Sequence, residues 1–181
     1  MKKYLLGAAA LALLAANAVP AGQGVTPVLR MDTTYHFILG SGFVPTAPFV
    51  ERVPGTLYAL VWQGTVQGDV EGVIRWWGEL TPAGEFTSVG KWEIWDCMPE
   101  YPSPGCDFDS ADQLIMAGYE TFGYVSATDW EGKGIVTYAN EEYAEWFGRR
   151  TTDGGYVDFV GGYPSYGEGY FTIYNRPSNK H

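Results

Sequence analysis

Four ionisable residues have types and spacing that could do acid–base chemistry. Glu71, Arg75 and Glu79 share one parity within Val70 to Leu80, so an extended backbone puts all three on one face. Turned inward, the two carboxylates would bracket the guanidinium, which would hold them ionised. Such a cluster could move protons or hold a polar ligand. Turned outward, it is a solvated face. The outward orientation is favoured, because Val70, Gly72, Ile74, Trp76, Gly78 and Leu80 make the opposite face apolar. His36, between Tyr35 and Phe37, could serve as a base or a haem ligand, although a lone strand histidine is more often structural.

A second set is aromatic. Trp62, Trp76, Trp92, Phe122 and Tyr124 fall in segments that read as strands. Gathered inside a barrel, they would line a ligand cavity. Their competing role is plain packing, since aromatic rings fill the core of any all-β protein.

Metal and cofactor chemistry find little support. Asp107, Asp109 and Asp112 alternate as calcium ligands can, but the glycine and terminal glutamate of an EF-hand loop are missing. Cys97 and Cys106 are two thiolates with no nearby third ligand, because His36 and His181 are remote in sequence. No Gly-x-Ser-x-Gly, His-Glu-x-x-His or P-loop pattern occurs. Gly161-Gly162 and Gly167-x-Gly169 read as turn glycines. No metal and no cofactor is expected.

The cysteines have a simpler use. They flank Met-Pro-Glu-Tyr-Pro-Ser-Pro-Gly, which cannot be helix or central strand because its prolines lack donors. In an oxidising compartment such a pair forms a disulfide, stabilising by about 2–3 kcal/mol through the unfolded chain. The start of the chain points to that compartment. Lys2 and Lys3 precede an uncharged run from Tyr4 to Ala16, followed by the small-residue triplets Ala16-Asn17-Ala18 and Val19-Pro20-Ala21. Basic, apolar and small segments in that order make a secretory signal peptide, here residues 1–21. The apolar run is shorter than the roughly 20 residues that span a bilayer. The protein is therefore expected to be secreted or periplasmic, with no membrane span in the mature chain.

Removing the leader takes the basic count from 11 to 9 against 21 acidic residues. A chain this acidic lacks the basic footprint of nucleic-acid binding and is not drawn to anionic lipid. About 160 residues remain, residues 22–181, the usual size of a single domain.

The elements that must position these side chains are strands. The 24 glycines and 11 prolines punctuate short runs rich in aromatic and β-branched residues. Period-two patterning predicts strands at Thr34–Leu39, Leu57–Val66, Val70–Leu80, Phe86–Asp96, Tyr119–Thr128, Gly134–Tyr138, Tyr156–Val160 and Tyr170–Tyr174. Short helices are expected at Ser110–Ala117, with Ser110 as cap, and at Asn140–Phe147, the latter in competition with a strand. Turns are expected at Gly68-Asp69, Pro82-Ala83-Gly84, Trp130-Glu131-Gly132 and Asp153-Gly154.

No long helix is available as a parallel crossover, so the sheet should be antiparallel. About eight such strands make a closed barrel or a two-layer sandwich. Gly64, Gly72, Gly78, Gly90, Gly123 and Gly134 lie within predicted strands and allow the bends of closure. The barrel is therefore preferred, and in shape it resembles lipocalins or allene-oxide-cyclase-like barrels. That likeness is architectural and assigns no residue a role.

The leading functional expectation is a barrel that binds a small, mostly apolar molecule in an aromatic-lined interior. The alternatives are a barrel enzyme of cyclase or isomerase type, a structural or surface domain with a filled core, and a small outer-membrane barrel. The last fits the polar tail after Tyr174 and the many turn prolines poorly.

Overall fold

Alternation of inward and outward side chains builds this molecule. The computed structural model describes residues 28–38 and 56–177. The leader at residues 1–21, Leu39 of the first expected strand, and His181 lie outside the described residues. Eight strands follow in order: β1 (Val28–Phe37), β2 (Leu57–Gly68), β3 (Gly72–Leu80), β4 (Phe86–Trp95), β5 (Leu114–Tyr124), β6 (Asp129–Ala139), β7 (Arg149–Val160) and β8 (Tyr163–Pro177). Each pairs antiparallel with the next, and β8 pairs back onto β1 to close the barrel. Closure leaves no unpaired edge.

Directly opposed residues share a face, so the register carries the interior around the cylinder. Trp62 lies opposite Trp76, Trp76 opposite Trp92, Trp92 opposite Gly118 and Gly118 opposite Val136. On the closing side, Thr151 opposes Ile173 and Ile173 opposes Leu29. Met31, Tyr35, Ile74, Trp92, Ile94, Met116, Phe171 and Ile173 form the packed centre.

A second core lies on the outer wall. Val73, Trp95 and Leu114 are fully buried there, packed by Cys97, Cys106, Phe108 and Tyr138. The Cys97–Cys106 disulfide closes the loop between β4 and β5, which folds back over the sheet. This explains why the outward face of β3 and β4 is not simply solvated. Arg75 lies 4.2 Å from the centre of the Phe108 ring and 4.8 Å from that of Trp77. Lys91 is buried, with Nζ 4.4 Å from the Tyr58 ring centre and 4.7 Å from that of Tyr119.

Several local expectations yield to tertiary pairing. The segment at Ser110–Ala117 is not a helix. It makes one 3-10 turn at Ala111–Gln113, Ser110 gives no side-chain cap, and Leu114 opens β5. Burying Leu114, Ile115 and Met116 in the sheet outweighs one short helix. Asn140–Phe147 likewise reduces to a 3-10 turn at Ala144–Trp146. Asn140 Oδ1 still accepts the Tyr143 N–H, at 3.2 Å. Trp130-Glu131-Gly132 and Asp153-Gly154 are not turns but lie within β6 and β7. Their turn preference is local, whereas each segment is hydrogen-bonded by a neighbour on both sides. Gly167 and Gly169 also belong to a strand, β8, while Gly161 and Gly162 do form a turn with φ of 62° and 85°.

Candidate functional site

Missing side chains create the site. On β6 the inward positions Gly132 and Gly134 carry no Cβ. A Cβ at Gly132 would lie 2.2 Å from Asp153 Oδ1, and one at Gly134 would lie 2.9 Å from the Cβ of Glu120 and 2.7 Å from Thr151 Oγ1. Glu120 on β5 and Asp153 on β7 therefore reach each other across β6. Gly90, opposite Glu120 on β4, does the same for Trp76, whose indole would meet an added Cβ at 2.2 Å. That space lets Trp76 Nε1 donate a short hydrogen bond to Glu120 Oε1.

Above this floor opens a cavity of about 50 Å³ lined by Tyr35, Trp62, Trp76, Glu120, Phe122, Tyr124, Trp130 and Val157. Its rings pack edge to face: Trp76 with Phe122 at 4.8 Å, and Tyr35 with Trp130 at 5.8 Å and with Trp62 at 6.4 Å. Tyr124 stands at the exposed rim, while Glu120 and Asp153 are 3 % and 2 % exposed. The volume suits a few waters or the head of a small guest.

The electrostatics follow from burial. Loss of water pushes the Glu120 carboxyl well above the usual carboxylate range, and the charge of Asp153 pushes it further. Burial also pushes Asp153 up, to about 7. The carboxyls are close enough to share a proton, with Glu120 as donor and Asp153 as acceptor. Burial and the two acids together raise the Tyr35 phenol. Glu120 Oε2, Asp153 Oδ1, Thr33 Oγ1 and Thr151 Oγ1 are buried without a hydrogen-bond partner. Chemically, this is an apolar cup with an acid at its base that holds its proton more tightly than a solvated carboxyl, and a second acid behind it. It could donate a hydrogen bond, accept a proton, or neutralise a cation.

Of the aromatic residues singled out from the sequence, Trp62, Trp76, Phe122 and Tyr124 line this cavity. Trp92 does not. It is wholly buried, 4.8 Å from Phe171 and seated over Gly118. The four ionisable candidates do not meet. His36 faces outward, stacked on Tyr101 at 3.9 Å, and partial burial lowers its pKa. Glu71 is exposed in the turn before β3, and Glu79 lies outward on β3. Arg75 is not bracketed by those two acids. Its stabilising charges are Glu93 and Asp109, set against burial, which lowers its pKa. Burial raises Glu93, opposed first by Arg75, and Trp95 Nε1 donates to Glu93 Oε2 at 3.1 Å. Among the described residues, no group of three or more His, Cys, Asp or Glu could hold a metal ion.

Glu120, Asp153, Tyr35, Trp130 and Val157 were not singled out by sequence. Glu120 carried a signal, since it shares parity with Gly118 and Phe122 on a strand whose inward face is otherwise apolar. Asp153 was hidden by its Asp-Gly dipeptide, and Trp130 by its reading as a turn residue. No family model, curated protein or solved structure matches the chain.

Proposed function

We propose that the protein is an exported single-domain barrel that binds a small, mostly apolar molecule through the aromatic cup at one end of its interior. The carrying observation is the cavity in which five tryptophan and tyrosine rings converge on one buried carboxyl, Glu120. A few orienting polar groups among apolar walls are what a small-molecule site requires. The leader-like first 21 residues and the Cys97–Cys106 bridge support export.

A second reading, an enzyme working by acid–base chemistry, is favoured by the Glu120–Asp153 pair. A buried carboxyl raised above its ordinary range beside a second acid raised to about 7 can exchange a proton with a bound substrate. Binding is tested by titrating small aromatic and aliphatic compounds and following tryptophan fluorescence, with Trp130→Ala as the control for site occupancy. Saturable change that is lost in the variant supports the cup. An unchanged response in the variant rejects it.

A further inference from the structure

Building on the binding reading, we infer that the guest enters with a positively charged head, a protonated amine set between the indole walls and the two buried acids. Glu120 and Asp153 are two buried carboxyl groups, and among the described residues no lysine, arginine or histidine acts on either. The groups that face them are Trp76 from β3, Tyr35 and Thr33 from β1, and Thr151 from β7. The acids' one charge partner is each other, and both are acidic. The pair holds a proton where an ion pair would hold a cation, and a cation from outside can take that place.

The hydrogen-bond inventory points the same way. Glu120 Oε2 and Asp153 Oδ1 have no partner, while Trp76 Nε1 is already engaged by Glu120 Oε1. Two carboxyl oxygens are left open as acceptors. An ammonium brings up to three donors, whereas a carbonyl brings none and a carboxylate would be repelled. The walls select for charge as well, because indole faces are the best aromatic partners for a cation. A void of about 50 Å³ fits an ammonium head, with the tail left toward Phe122 and the rim at Tyr124. A formal net charge of −10 would draw cations toward the protein. A metal ion is a poorer fit, because no three-ligand group is present among the described residues.

Entry of the head displaces the acid proton. The ammonium replaces the shared hydrogen, the pair becomes ionised, and one proton leaves to solvent. The test is isothermal titration at pH 7.5 with three compounds of matched shape: 2-phenylethylamine, 2-phenylethanol and phenylacetate. We expect the amine to bind at least about tenfold more tightly than the alcohol, from charge-assisted bonds and cation–π contact, and phenylacetate not to bind. Glu120→Gln should abolish the preference for amine over alcohol. Heats measured in two buffers of different ionisation enthalpy should report proton release for the amine alone. If the alcohol binds as well as the amine, or the preference survives in Glu120→Gln, the cation inference falls and the cup stands. If none of the three compounds binds the wild-type protein, the cup itself is overturned.

Discussion

Replacing Asp153 by asparagine should flatten the dependence of stability on pH. In the folded protein Asp153 titrates near 7, against an ordinary aspartate value of 3.8. Below 3.8 both the folded and unfolded chains hold the proton, and the folded state carries no penalty. As pH rises from about 4 to about 7, the unfolded chain releases the proton while the folded chain retains it. Stability then falls by up to about 1.4 kcal/mol per pH unit. Across the interval this gives at most about 4 kcal/mol, and relaxation of a buried site reduces it to about 2 kcal/mol. Burial and the charge of Asp153 raise Glu120 as well, so its contribution to stability falls with pH in the same direction. In Asp153→Asn one titrating group is gone, and Glu120 no longer faces a second charge. Urea denaturation followed by tryptophan fluorescence from pH 4.5 to 8.5 reads the effect directly. Every acid apart from Glu120 is common to both proteins and cancels in the difference, and the relief of Glu120 acts in the same direction as the loss of Asp153. The variant should match or trail the wild type at pH 4.5 and exceed it by about 2 kcal/mol at pH 8. Parallel curves for the two proteins would refute a buried acid pair that holds its proton at the cost of folding.

Three further outcomes test the geometry. Gly132→Ala sets a methyl group 2.2 Å from Asp153 Oδ1, so the acids must separate. It should cost about 1–3 kcal/mol, and lower the apparent pKa of the pair in a pH titration of intrinsic fluorescence. Trp76→Phe removes the donor to Glu120 Oε1. Chemical denaturation should show a loss of about 1–3 kcal/mol for the buried oxygen left unsatisfied, and a loss below about 0.5 kcal/mol would argue against the bond. Cys97→Ser combined with Cys106→Ser should cost about 2–3 kcal/mol. Loosening the loop that carries Phe108 should also raise acrylamide quenching of Trp95, which is fully buried beneath it.

The strand character of the chain was legible because it is local. Parity along Val70–Leu80 and Phe86–Asp96 alone separated Ile74, Trp76, Trp92 and Ile94 from Arg75, Lys91, Glu93 and Trp95, and the structure keeps that separation. Glycines within strands pointed to closure, and the sheet closes. The cysteines, nine positions apart, pair. Turn and helix expectations at Ser110–Ala117, Trp130-Gly132 and Asp153-Gly154 failed for one shared reason. A dipeptide's preference amounts to a fraction of a kcal/mol to about 1 kcal/mol, whereas a strand inside a closed sheet gains a ladder on each side and a buried face.

Sequence by itself indicated the pleat, the antiparallel pairing and the common face of Ile74, Trp76, Trp92 and Ile94, because each residue's direction in a strand follows from its own backbone. Only the folded cylinder decided that Glu120 and Asp153 meet, that Arg75 turns to Glu93 and Phe108, and that Trp92 is core while Trp130 is wall. Those outcomes depend on register around a closed sheet and on the side chains that Gly132 and Gly134 lack on the strand between. No single strand carries that information.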